Sequence, residues 1–181
     1  VKKNVTPTWI DVKNKLADFD RAGLLGLLQD LYAASRDNRD FLHTRFSLGD
    51  DALAPYKTTI TRWINPPKIP APISVAKAKK AVTDYKKAVG RPEDLAELTV
   101  FYCEEVFAFL RNAGMEDDGY YDALVRMFAQ AVGHALASPV PAQVTFIERL
   151  DRVRKLGQDL GWGVGAAFND CWTKAGFTAD D

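Results

Sequence analysis

The sequence predicts an all-α protein: one domain of eight or nine helices, arranged as an orthogonal bundle or a short superhelical array. Three observations carry that expectation. Apolar residues recur at three- and four-residue spacing in nearly every segment, the period of a helix face. Capping residues, prolines and glycines punctuate those segments at helix-length intervals. No run alternates apolar and polar long enough to make a convincing strand, and no two segments align as a repeat.

Composition sets the bounds. At 181 residues one domain is the default, able to bury roughly 70% of its unfolded surface. A chain 47% hydrophobic and 27% charged is not disordered. Lysine plus arginine equals aspartate plus glutamate, 24 each, so no overall field draws the whole chain to nucleic acid or membrane. Cys103 and Cys171 make neither a disulfide framework nor a zinc cluster, and they suit a reduced cytoplasm. No apolar run reaches membrane-span length, and the opening VKKNVTPTW lacks the apolar core of a signal peptide. The expected place is cytoplasmic.

In chain order, residues 9–18 form a short helix anchored by Trp9, Ile10, Val12 and Leu16. Asp20 caps a stronger one whose stripe Leu24, Leu27, Leu28, Leu31 has the spacing of a buried face, flanked by Leu25 and Tyr32. Ser35 to Asn38 breaks it. A third helix uses Phe41, Leu42 and Phe46 until Ser47 to Asp50 turns the chain. A fourth carries Leu53, Tyr56, Ile60, Trp63 and Ile64. Pro66 to Pro72 is the internal seam, a stiff connector between helices rather than a PxxP ligand. Ser74 caps the next helix, which buries Val75, Ala78, Val82, Tyr85 and Val89 and ends at Gly90.

Pro92 opens the candidate central helix. On a helical wheel Leu95, Leu98, Tyr102, Val106, Phe109 and Leu110 share one arc, which Cys103 and Phe107 extend, while Glu93, Glu97 and Glu104 lie opposite. It is expected to pair with the preceding helix as an antiparallel hairpin. Glu116, Asp117 and Asp118 lead into a helix striped by Tyr121, Leu124, Val125, Phe128, Val132 and Leu136. Val140 onward has some strand character, but Phe146, Leu150, Val153, Gly157 and Leu160 repeat at helical spacing. Gly157 would let a neighbouring backbone come close. A last helix uses Val164, Phe168, Cys171 and Trp172, with Gly176 as its C′ residue and Phe177 against Trp172 in a Schellman contact.

Four segments, GLLQDLYAAS (26–35), ISVAKAKKAVTDYKKA (73–88), LAELTVFYCEEVFAFL (95–110) and LGWGVGAAFNDCW (160–172), in this order and spacing resemble a family of small uncharacterised bacterial proteins, a domain of unknown function. The resemblance runs from about Leu16 to Trp172, and SVAKAKKA is its most specific part. It implies a bacterial cytoplasmic protein with one helical domain and transfers no activity or catalytic residue. The connector Pro66 to Pro72 departs from the family pattern.

Few motifs bear on chemistry. Gly161 to Ala166 matches G-x-G-x-x-A, but a dinucleotide fingerprint needs a strand before it, and Arg152 to Leu160 reads as helix. The segment is expected to be a corner, with Trp162 packed down as an anchor. His43 and His134 are isolated and on helix rims, and Cys103 and Cys171 lie on apolar faces, so no metal ligand, cofactor or catalytic residue is assigned. Charge is the clearest signal. Residues 56–91 hold nine bases against Asp84 alone, and residues 92–124 hold nine acids against Arg111 alone. Lys57, Arg62, Lys77, Lys80 and Lys87 form a candidate basic binding face; Glu93, Glu97 and Glu104 form a candidate acidic one, expected to answer the lysines just before it. The favoured reading is a non-enzymatic module that binds protein, itself included. The alternatives are nucleic-acid binding through helix 74–89 and an enzyme whose site is assembled from distant residues.

Overall fold

Helix starts follow the capping signals. The structure, a computed structural model, describes residues 6–49, 51–68 and 70–178. Expectations for residues 1–5, Asp50 and Ile69 lie outside the described residues. Among the described residues are nine helices and no strand: α1 (Trp9–Leu16), α2 (Arg21–Ala34), α3 (Arg36–Arg45), α4 (Ala54–Ile64), α5 (Val75–Ala88), α6 (Pro92–Leu110), α7 (Asp118–Leu136), α8 (Val140–Gly157) and α9 (Val164–Lys174). The all-α class is what the sequence predicts.

Side-chain oxygens fix several of the starts. Asp20 accepts from the Gly23 amide at 2.7 Å, Ser74 from Lys77 at 3.4 Å and Asp117 from Tyr120 at 3.0 Å. Each satisfies an amide that the first helical turn leaves unpaired. At the far end of α9 the Phe177 amide donates to the Trp172 carbonyl and the Gly176 amide to Thr173. The Trp172 and Phe177 rings then lie 4.5 Å apart, so the Schellman contact forms as expected.

The chain divides into two compact units, Val1–His43 and Thr44–Asp181. The second contains the core. Its centre is α6, which packs against α4, α5, α7 and α8, with its broadest contact on α7. Ten α6 residues are buried, Leu98, Val100 and Cys103 completely. This is the central helix the wheel predicts.

The expected α5–α6 hairpin is not the main pairing. Gly90 and Pro92 do separate these helices, but α5 packs more broadly on α4. Ile60 and Ile64 of α4 and Ala78 and Ala81 of α5 are buried in the same core, and Tyr56 meets Tyr85 edge to face at 5.4 Å. The Ser74 amide closes the connector by donating to the Trp63 carbonyl at 3.0 Å.

At the α8–α9 corner the close approach predicted for Gly157 falls on a ring. A Cβ there would lie 2.6 Å from Phe168, which itself stacks on Phe128 at 4.0 Å. The backbone approach is made by Gly165, where a Cβ would sit 2.9 Å from the Gln158 Cα.

The first unit differs in kind. None of its described residues is buried, and neither α1 nor α2 has a buried side chain. The α2 stripe expected to face a core is open: Leu24, Leu25, Leu28 and Leu31 are 39–56% exposed. Within the unit, Tyr32 Oη lies 2.9 Å from His43 Nε2 and Asn38 donates to the Leu31 carbonyl at 2.6 Å. Ser35 alone breaks the helix, because its extended backbone lets Oγ accept the Asn38 amide and start α3 at once. Phe41 and Phe46, expected as anchors of α3, are exposed too.

Candidate functional site

Three surfaces could carry function: the basic and acidic faces read from the sequence, the groove beside Trp162, and the open apolar face of α2.

The basic face is only partly free. Lys57 on α4 is half-buried and its Nζ sits 2.7 Å from Glu97. Lys80 pairs one turn along its own helix with Asp84 at 2.5 Å. Arg62 and Lys77 converge on the Trp63 ring, at 5.2 and 3.8 Å from its centroid. Lys86 and Lys87 are exposed at the C-terminal end of α5, where positive charge suits the helix dipole. The face therefore reduces to Arg62 and Lys77 on one aromatic, with Lys87 at the far end of α5.

The acidic face turns to other helices. Arg149 on α8 lies between Glu97 and Glu104: it donates to Glu104 through Nε at 2.8 Å and Nη2 at 2.6 Å, and to Glu97 through Nη1. Its hydrogen bonds to Glu104 hold the guanidinium well above its usual range, against burial. Burial pushes the Glu97 carboxyl up, but hydrogen bonds from Arg149 and Lys57 outweigh it and hold the group below the usual value. Glu93 remains exposed. The acids thus answer α8 and α4 rather than the α5 lysines. Arg149 stands 45 and 52 residues from its partners, a separation no local pattern reveals.

A second buried cation was legible but overlooked. Arg154 sits one turn after Leu150, inside the apolar stripe of α8, and is 3% exposed. It donates to Asp151 and to Asn169 Oδ1 and lies 5.4 Å from the Trp172 ring centroid. A charge inside an apolar stripe is the signal of a satisfied buried ion.

Acid–base and nucleophilic groups are held in structural roles. Tyr85 Oη donates to Asp94, whose carboxylate also takes Arg91 Nε at 2.6 Å. Burial, then the hydrogen bond to Asp94, pushes the Tyr85 hydroxyl up to about 12. Burial pushes the Cys103 thiol far up and raises Cys171 as well, so neither is an activated thiolate. His134 is held below its usual value by burial and by Lys86. Among the described residues no three His, Cys, Asp or Glu side chains gather as a metal site requires.

The glycine-rich corner holds the main surprise. Gly161, Trp162 and Gly163 take φ values of +70°, +51° and +70°. Three successive left-handed residues carry the chain from α8 into α9, and a non-glycine residue in that region costs about 1–2 kcal/mol. Trp162 is not packed down: it is 56% exposed, with its ring stacked on Tyr121 at 5.4 Å and 14°. The pair borders a groove of about 430 Å³ that also contains Asp118, Asp122, Val125 and Arg126. No sequence pattern distinguishes this displayed tryptophan from a buried one.

Among the described residues no helix is long and apolar enough to cross a membrane. No family model, curated protein or solved structure matches the chain.

Proposed function

We propose that the protein is a non-enzymatic helical module that binds protein, and that the partner of its first unit is a second copy of the chain. The observation that carries this reading is α2, fourteen residues without one buried side chain. A helix of that length is marginal in water without tertiary packing, so its apolar face calls for a cover. Leu24, Leu25, Leu28, Leu31 and Tyr32 fall within one arc of the helix and together expose on the order of 400 Å², the size of patch that is often functional. Trp9 and Val12 of α1, in the same unit, are exposed as well.

Charge favours a copy over a strongly charged partner. Residues 1–43 carry six acids and seven bases, a net charge of only +1, so two such units meet with little repulsion. Burying the α2 patch of both copies removes about 800 Å² in all, in the size range of weak, transient interfaces, which fits a reversible dimer. The two free thiols, Cys103 buried and Cys171 half-buried, support placing the module in the cytoplasm.

Sedimentation equilibrium tests this reading. The expected result is a concentration-dependent dimer that L28D converts to monomer while the far-ultraviolet spectrum of the second unit is kept. A strict monomer at every concentration overturns it, as does a dimer indifferent to L28D.

A second reading rests on Trp63 with Arg62 and Lys77 upon it. Cations beside an aromatic suit single-stranded nucleic acid. It predicts binding that weakens steeply with salt and is lost when Lys77 and Lys87 are reversed to glutamate; no binding at low salt removes it.

A further inference from the structure

Trp162 is held where a bulky residue seldom sits, at φ +51° between two left-handed glycines. Its platform is rigid. Tyr121 is buried, and its hydroxyl donates to the Met115 carbonyl at 2.8 Å. Stacked there, the indole keeps more than half of its surface open. The strained turn therefore displays an aromatic face rather than burying one.

The groove it borders is net negative. Asp118 and Asp122 lie one turn apart on α7, against the single guanidinium of Arg126. That guanidinium touches Asp122 at 3.6 Å, and both side chains are largely open to solvent. The pair is loose enough to be exchanged. An indole face is itself a region of negative potential, so ring and carboxylates favour the same kind of ligand, a cation. A planar one fits both at once: it can lie flat on the ring while its N–H groups reach a carboxylate at the side.

We propose that this groove binds an arginine side chain presented by a partner polypeptide, its guanidinium lying on the Trp162 indole and donating to Asp118 or Asp122. The ligand exchanges with Arg126, which supplies the only guanidinium among the described residues lining the groove. Those residues all belong to the second unit, so loss of this surface or of the α2 face leaves the other to be tested alone.

The test is a titration of the full chain followed by the Trp162 indole resonance, assigned from its absence in W162F. The probes are the N-acetyl amides of arginine, citrulline and lysine. The arginine probe is expected to move the resonance and saturate in the millimolar range. Citrulline, the same shape without charge, should bind at least about fivefold more weakly, and lysine, charged but not planar, should also lag. D122N should weaken arginine binding. R126Q should tighten it by about two- to fivefold, because an internal competitor is removed. Equal responses to arginine and citrulline overturn the proposal, as do equal responses to arginine and lysine or none at all. Weaker binding by R126Q overturns it too, since Arg126 would then be binding the ligand rather than competing with it.

Discussion

Replacing Arg149 by methionine tests how the charged groups of the second unit are used. Methionine keeps packing near the Phe146 ring, whose centroid lies 5.9 Å from the guanidinium carbon, but removes every hydrogen bond to Glu97 and Glu104. Breaking a fully buried ion pair from one side costs about 3–5 kcal/mol and a surface pair about 0–1 kcal/mol. Here Arg149 and Glu97 are mostly buried, while Glu104 is just over a third exposed and partly screened. The expected loss at neutral pH is therefore about 2 kcal/mol. The pH dependence is more diagnostic. In the native protein Glu97 is held below its unfolded value, so its contribution is present above that value and is lost as pH falls through the folded one. Without Arg149, burial is opposed by Lys57 alone and the carboxyl rises. The gap between variant and native protein should then be widest at neutral pH and close in acid, once pH has fallen below the depressed native value and both forms carry a protonated Glu97. Urea denaturation at the two pH values measures it, with E97Q and the double variant completing a cycle. A gap below about 0.5 kcal/mol at neutral pH, or one that acid leaves unchanged, refutes the reasoning.

Other expectations follow from the same packing. G165A should cost about 1–3 kcal/mol by overpacking against the Gln158 backbone, whereas G133A on α7, with nothing within 4 Å of the new Cβ, should stabilise by up to about 1 kcal/mol; thermal unfolding of the pair separates the effects. R154M should cost about 1–3 kcal/mol in chemical denaturation, since it removes the buried hydrogen bonds to Asp151 and Asn169 and leaves these only Lys155 and Gln158 as partners. Tyr85 has its folded value raised, so its contribution is present below about pH 10 and lost as pH climbs toward about 12. Y85F should lower neutral stability by about 1–2 kcal/mol and flatten that part of the alkaline loss, read from denaturation midpoints.

Much of the helix pattern was legible because it is local. Asp20, Ser74, Gly90, Pro92 and Gly176 act within a few residues of themselves, and each stands where its chemistry predicts. Apolar periodicity also placed Leu98, Tyr102 and Val106 in the core. What periodicity cannot state is what covers a face. Leu124, Phe128 and Val132 on α7 and Leu24, Leu28 and Leu31 on α2 have the same kind of spacing, yet the first set is buried and the second open. The α7 stripe has α6, α8 and α9 against it. The α2 stripe has no comparable cover, and nothing in either segment records the difference. The reversal at Trp162 has a similar cause: two glycines announce a tight turn but not which way a side chain between them points.

Segregated charge suggests a solvated hairpin with function on its charged rim. The contacts argue otherwise. Glu97 and Glu104 are engaged by Arg149, Lys57 by Glu97 and Lys80 by Asp84. A paired charge projects little field beyond a Debye length of about 8–10 Å, so these residues offer a partner less attraction than their number implies. Apolar surface has no such internal partner on α2. Its leucines gain from any contact that removes them from water, at about 25 cal/mol per Å². The larger unsatisfied term therefore lies in the first unit, and the acids of α6 serve to tie the second unit together through α4 and α8. An oligomer governed by these terms should strengthen with sulfate, which favours apolar burial, and change little with sodium chloride; one governed by the charged hairpin would do the reverse under sodium chloride. Sedimentation in the two salts distinguishes them, and a dimer that dissociates as sodium chloride rises would return the interface to α5 and α6.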